Sequence, residues 1–186
     1  MPSAKPQRAL ARFLFPEGTE ELCLVINLRL NSPGAACDGR GSVREVRGFI
    51  DLHSHWVAAV DDGARTTEEG RALLEALYAA GFDRVIATPH MRPGMFENDR
   101  PALEAAFERT LQAIGVSVEK QVGKLPQVGL ASEHFFDDVV YERLVNGQGL
   151  PYPGGKAALV EFAVGRFPAR AQHRLHDLMQ HKIRPV

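Results

Sequence analysis

His53 and His55, two histidines separated by a single residue, have the types and spacing of metal ligands. They follow residues 49–52, a short apolar segment that predicts a buried strand. Because side chains alternate along a strand, both imidazoles are expected on one face, where they can share a divalent ion. The pair is weak evidence alone, since histidines at this spacing also occur in proteins without any metal.

Further side chains that can bind metal follow at three other places in the chain. Asp61-Asp62-Gly63 forms a turn rich in carboxylates, Thr88-Pro89-His90 ends a second predicted strand, and Ser132-Glu133-His134 ends a third. Carboxylates beside imidazoles provide the mixed nitrogen and oxygen ligands of manganese, iron or zinc hydrolases. Since active sites of β/α barrels lie at the C-terminal ends of the strands, these groups are expected to converge there.

The elements that position these groups alternate between strand and helix. Strands are predicted at 49–52, 84–88, 127–131 and 157–162, with a stub at 183–186. Helices are predicted from Thr66 or Thr67 to Gly81, and at 100–118, 137–145 and 167–181. This alternation predicts parallel βαβ units in an α/β fold. A closed eight-fold barrel needs roughly 250 residues, so residues 48–186 are expected to form the N-terminal part of an incomplete barrel.

Composition limits the other classes of function. The formal net charge is −1 and no apolar run has the length of a membrane span, so neither nucleic-acid binding nor membrane insertion is expected. No signal-peptide pattern is visible, which predicts a cytoplasmic protein. Residues 1–47 contain scattered proline and glycine and are expected to be a poorly ordered leader. The chain has only 2 cysteines, which make no disulfide framework.

Four motifs from Phe49 to His90 resemble the opening of the polymerase-and-histidinol-phosphatase (PHP) superfamily. They are H-x-H at His53, DDG at Asp61, a helix rich in Glu and Leu, and A-T-P-H ending at His90. Their order and spacing are most similar to the metal-dependent protein tyrosine phosphatases of capsule and exopolysaccharide operons, the CpsB/CapC type. The similarity continues, more weakly, to Val186.

The resemblance implies a distorted PHP-type β/α barrel that hydrolyses phosphotyrosine with metal-activated hydroxide and without a cysteine intermediate. It implies that His53 and His55 bind one metal, that Asp62 and His90 bind another, and that Glu133 bridges metals. The implied ion is manganese, with iron or zinc as alternatives. The implied substrate is a phosphotyrosine protein, namely a bacterial tyrosine kinase of polysaccharide export.

Departures from the family keep two alternatives open. Ala58-Ala59 replace the usual Pro-Gly, and His134 stands where the family tends to have an apolar residue. The sequence also stops at Val186, before the family's H-P-E-R and D-x-H motifs, so a C-terminal truncation that removes metal ligands and a phosphate-binding arginine is expected. The alternatives are a PHP-type phosphatase acting on a small molecule such as histidinol phosphate, and an inactive fragment.

Three other features have plainer interpretations. Glu161 interrupts an apolar strand and is compatible with either a supporting role at the site or an ordinary strand end. Arg92 and Arg166 are expected at the surface rather than on an anionic substrate. Residues 23–29 fit C-x5-R, the signature of cysteine phosphatases, but the apolar residues between Cys23 and Arg29 favour a strand instead of a phosphate-binding loop.

Overall fold

The structure, a computed structural model, describes residues 47–165 and 167–186. The leader expected at 1–47 lies outside the described residues except for Arg47, and so do the segment 23–29 and Arg166. The predictions for those positions therefore stay predictions. No helix in the described part of the chain has both the length and the apolar character needed to cross a membrane.

The described ranges contain seven strands and four helices. The strands are β1 (Phe49–Ser54), β2 (Phe82–Ala87), β3 (His90–Met91), β4 (Gln127–Leu130), β5 (Glu133–Phe135), β6 (Ala157–Glu161) and β7 (Arg184–Pro185). The helices are α1 (Thr67–Ala79), α2 (Arg100–Ile114), α3 (Asp138–Val145) and α4 (Ala171–Gln180).

The strands form two parallel sheets, ordered β1-β2-β4 and β3-β5-β6-β7. This confirms the predicted α/β class with parallel strands. Sequence reasoning missed β3 and β5, which start only a few residues after β2 and β4 end. The chain therefore passes from the first sheet to the second at two neighbouring points. At these points the Ser132 hydroxyl donates to the Pro89 carbonyl over 2.8 Å, which joins the two crossings.

Capping side chains explain where the first three helices begin. Thr66, Asp99 and Asp137 each accept a hydrogen bond from a backbone N–H in the first turn of α1, α2 and α3. The predicted extension of α2 to Val118 is wrong because Gly115 adopts a left-handed φ of 77° and ends the helix.

The last helix starts later than its predicted first residue, Phe167. Phe167 precedes Pro168, and a residue before proline is disfavoured in the helical conformation. The Ala171 N–H donates to the Pro168 carbonyl over 2.9 Å, so a turn leads into α4.

Two apolar cores support the sheets. Trp56, Leu74 and Phe107 belong to the core beside the first sheet, whereas Met91 and Leu178 belong to the core beside the second. These cores fix the strand ends from which the polar side chains project.

The first strand is not buried as predicted. Exposure alternates from Phe49 to Leu52, and the residues Ile50 and Leu52 are 52% and 54% exposed. β1 is the edge strand of its sheet and only one of its faces is covered by the described residues, which explains the difference.

Candidate metal centre

The H-x-H pair lies at the end of β1, and both imidazoles point to one place. The Nε2 atoms of His53 and His55 are 3.2 Å apart. Tyr152 fixes this strand end from outside, because its hydroxyl donates to the Leu52 carbonyl over 2.8 Å. The strand end therefore presents two ring nitrogens to a common point.

Asp61 orients one of these imidazoles. Its buried carboxylate lies 2.8 Å from His55 Nδ1 and also accepts the backbone N–H groups of Gly63 and His90, each over 3.0 Å. Because a carboxylate can only accept, Nδ1 carries a proton, which leaves Nε2 as the ring nitrogen that can bind a metal once its own proton is displaced. This role of Asp61 was missed in the sequence, where only the second carboxylate of the turn is assigned a role.

Asp62, the next residue, is the exposed member of the pair. Its side chain is 71% exposed, and its Oδ1 lies 3.5 Å from His90 Nε2. His90 itself is largely buried and stacks on Phe96, with 5.3 Å between the ring centroids and 10° between the planes. The structure thus places Asp62 and His90 together, as the resemblance implies.

Glu133 lies where the three imidazoles meet. Its Oε2 is 3.2 Å from His53 Nε2, 3.3 Å from His55 Nε2 and 3.4 Å from His90 Nδ1. His90 and Glu133 are register partners, each at the first residue of a short strand, which explains the proximity. The strands missed in the sequence therefore create the centre of the site.

Glu161 joins the group from the end of β6. Its Oε2 lies 3.5 Å from His90 Nδ1, and both atoms are buried without a hydrogen-bond partner among the described residues. Two unpaired buried polar atoms that face each other are costly unless a missing group satisfies them. A divalent cation between an imidazole nitrogen and a carboxylate oxygen would do so.

Arg92, which was expected at the surface, is partly exposed and also lies at this site. The side chain is 28% exposed, and Nη1 is 3.8 Å from Glu161 Oε1. It follows β3 directly, and its guanidinium rests over the Phe135 ring instead of extending into solvent.

The protonation of the groups reflects their mutual contacts. Burial lowers the pKa of His55, but its hydrogen bonds to Asp61 and Glu133 outweigh burial and raise the pKa to about 10. Burial raises the pKa of Glu133, and the hydrogen bonds from His53 and His55 more than reverse this, leaving it well below its usual range. Burial, followed by the charge of Glu133, raises the pKa of Glu161. A metal would replace the proton of His55 and relieve the repulsion between the carboxylates.

Six side chains form three overlapping groups with ligand atoms no more than 4.8 Å apart within each group. The groups are His53, His55 and Glu133; His55, Asp62 and His90; and His90, Glu133 and Glu161. We call these six residues the metal cluster. All five predicted ligands belong to it, and Glu161 is the addition. Their nitrogen and oxygen donors fit divalent transition metals, although the role of each residue stays a prediction.

His53 and His55 lie at the C-terminal end of β1, and His90 and Glu133 lie just past the C-terminal ends of β2 and β4. This placement of a group able to bind metal defines an α/β protein of the β/α-barrel type with a candidate metal centre. Residues 49–186 match the family model of capsular polysaccharide synthesis, CpsB/CapC, and the chain belongs to this family. The resemblance inferred from the motifs is thereby confirmed.

Named relatives support the same assignment. Tyrosine-protein phosphatase CpsB of Streptococcus agalactiae serotype V is 33% identical over 138 residues, which are 74% of this chain and 55% of the relative. CpsB of Streptococcus pneumoniae is 28% identical with the same two coverages. The chain thus spans about half the length of the curated relatives it matches.

A solved structure shares the fold. The crystal structures of YwqE from Bacillus subtilis and CpsB from Streptococcus pneumoniae, described as unique metal-dependent tyrosine phosphatases, give a TM-score of 0.64 at 26% identity. The match covers 74% of this chain and 53% of that chain. The α/β fold of this family therefore extends over the whole matched region.

Gly63 is required by the close approach of the DDG turn to His55. A Cβ at Gly63 would lie 2.3 Å from the His55 carbonyl oxygen and 2.4 Å from the His55 Cβ. We expect Gly63→Ala to displace the turn, weaken the binding of any divalent metal and lower the free energy of unfolding by about 2–3 kcal/mol. Calorimetric metal titration and urea unfolding would test this. Gly155→Ala is the control, because a Cβ there meets nothing closer than 3.8 Å, and equal behaviour of the two variants would contradict the prediction.

Ala59 occupies a conformation that suits glycine. Its φ is 56°, and it lies in the loop between His55 and the DDG turn, at one of the positions where the family usually has Pro-Gly. Left-handed geometry costs a residue with a Cβ about 1–2 kcal/mol, and the added chain entropy of glycine offsets about 0.5–1 kcal/mol of that. We expect Ala59→Gly to raise the free energy of unfolding by roughly 0.5–1 kcal/mol. Ala58 does not have a positive φ, so Ala58→Gly should lower the free energy of unfolding. Urea unfolding would measure both variants, and a stabilising effect of Ala58→Gly would contradict this explanation.

Proposed function

We propose that this chain carries the metal-binding part of a metal-dependent protein-tyrosine phosphatase of a capsule or exopolysaccharide system. The observation that supports this most is the overlap of the three ligand groups, in which His55, His90 and Glu133 are each shared by two groups. Shared ligands allow several ions to lie close together, and adjacent ions favour phosphoester hydrolysis.

In this proposal the residues of the metal cluster would bind the ions as follows. His53, His55 and Glu133 would hold one ion, Asp62 and His90 would take part in a second, and Glu161 would extend the site beside His90. When bound, the ions would lower the pKa of a water molecule and neutralise phosphoryl oxygens. Asp61 would keep Nε2 of His55 directed at the ion through its hydrogen bond to Nδ1.

Manganese is the ion we propose, with iron or zinc as alternatives. The donor set consists of three imidazoles and three carboxylates and contains no thiolate, which suits manganese and iron and is also compatible with zinc. The cytoplasmic location expected from the sequence likewise stays a prediction.

The proposed substrate is a phosphotyrosine protein, namely a tyrosine kinase of polysaccharide export. Support comes from the relatives, which are named tyrosine-protein phosphatases, and from membership of a capsular polysaccharide synthesis family. The relatives' activity belongs to chains about twice as long as the matched region, so it is carried over here only as a proposal.

Measuring ester hydrolysis and metal binding in the same samples would test the proposal. The full chain with added manganese is assayed on a phosphotyrosine peptide and on histidinol phosphate, while bound manganese is quantified. We expect manganese binding and faster release of phosphate from the peptide. Preference for histidinol phosphate would favour the small-molecule alternative, and manganese binding without turnover of either ester would favour the inactive fragment.

A cysteine alkylator separates this chemistry from the C-x5-R interpretation. Hydrolysis that uses metal ions should be unchanged after alkylation of Cys23 and Cys37 and should be lost on chelation. Loss of turnover on alkylation, with metal content unchanged, would contradict the proposed mechanism.

A further inference from the structure

Arg92 has an unusual combination of position and free hydrogen-bonding capacity. Its guanidinium carbon lies 4.1 Å from the centroid of the Phe135 ring. Its one ionic contact is the 3.8 Å approach to Glu161, and no hydrogen bond from this guanidinium occurs within the described residues. Stacking on an aromatic face fixes the plane of an arginine and leaves its N–H edges available.

Arg92 is a cation beside a site that is rich in carboxylates. The metal cluster contains the three carboxylates Asp62, Glu133 and Glu161, and buried Asp61 lies behind His55. In the described ranges, Arg92 is the only arginine or lysine that forms an ion pair with a member of the cluster. A substrate phosphate would otherwise face mainly carboxylates at this side of the site.

We propose that Arg92 binds the phosphoryl oxygens of a phosphate monoester at the metal cluster. This inference rests on the proposed function and adds the group that recognises the substrate dianion. A planar guanidinium presents paired N–H donors that match two phosphate oxygens, which a lone ammonium cannot reproduce. The long contact to Glu161 leaves these donors available for an oxyanion beside His90 and Glu161.

Inorganic phosphate is a suitable probe, because its binding can be measured without turnover. Manganese-loaded wild type, Arg92→Gln, Arg92→Lys and Arg84→Gln are titrated with phosphate by calorimetry, and bound manganese is determined for each. Arg84 is the matched control, since it is exposed on β2 and its side chain donates to Gln127 instead of facing the cluster. Thermal unfolding of each variant checks that the fold is retained.

We expect Arg92→Gln to weaken phosphate binding by about tenfold to a hundredfold, in line with the loss of charge-assisted hydrogen bonds. Manganese content should be unchanged, Arg92→Lys should lie between Arg92→Gln and wild type, and Arg84→Gln should behave as wild type. Equal phosphate affinity of Arg92→Gln and wild type would overturn this inference alone. Parallel loss of manganese and phosphate would also overturn it, because Arg92 would then act by supporting Glu161. A wild-type chain that binds no manganese would instead refute the proposed function on which the inference rests.

Discussion

Glu133→Gln is expected to lower the manganese affinity of the chain by at least about a hundredfold, beyond the usual effect of changing a residue that only supports a ligand. The physical reason is that a single carboxylate oxygen lies within 3.4 Å of three imidazoles and belongs to two of the three ligand groups. A neutral amide of the same shape would remove the negative charge that, in the proposed site, would offset the charge of two neighbouring ions. Equilibrium dialysis against manganese would measure the loss.

Two further variants show whether charge or shape is responsible. Glu133→Asp keeps the charge but withdraws it by one methylene group, so its affinity should lie between that of Glu133→Gln and wild type. Glu104→Gln removes a carboxylate that pairs with Arg100 on the surface of α2, and it should bind manganese as wild type does. Unchanged manganese content in Glu133→Gln would exclude Glu133 as the shared ligand.

The sequence predicts the four helices and the longer strands because each has a local signal. A capping side chain such as Thr66 or Asp137, followed by helical apolar spacing, is contained within a few residues. The short strands at His90 and Glu133 have no such signal, since two or three residues show no period. Their pairing depends on the crossing of the chain between sheets, which only the folded structure shows.

The candidate site likewise has features that the sequence shows and features that only the folded structure shows. Metal-competent residue types are visible in the sequence, and the expectation that they share one end of the strands needs only parallel topology. The sequence does not show that Asp61 orients His55 while Asp62 lies near His90, because the backbone turn decides which carboxylate is directed inward. Glu161 joins the metal cluster through the register of β6 beside β5. Arg92 is held beside the cluster by the ring of Phe135. The sequence shows neither contact, because both depend on the folded arrangement of the strands.

Replacement of His134 is expected to have the second large effect, which is on the free energy of unfolding and not directly on metal binding. The ring is fully buried, its Nδ1 lies 2.8 Å from the Leu159 carbonyl, and its Nε2 accepts the Leu150 N–H over 3.0 Å. Burial lowers the pKa of His134 to about 4, so the ring is neutral near pH 7, with its proton on Nδ1. It thereby joins β5 and β6 to the loop that carries Tyr152.

His134→Leu is expected to lower the free energy of unfolding by about 3 kcal/mol, because it leaves a buried N–H and a buried C=O unpaired at about 1–3 kcal/mol each. Urea unfolding in the presence of a chelator would measure this without any contribution from bound metal. His134→Gln should lose less, since its amide can replace one of the two hydrogen bonds. His173→Leu, at an exposed position on α4, is the surface control and should change stability little. If His134→Leu were as stable as wild type, the two hydrogen bonds would contribute nothing net, and the apolar residue usual in the family would serve equally well here.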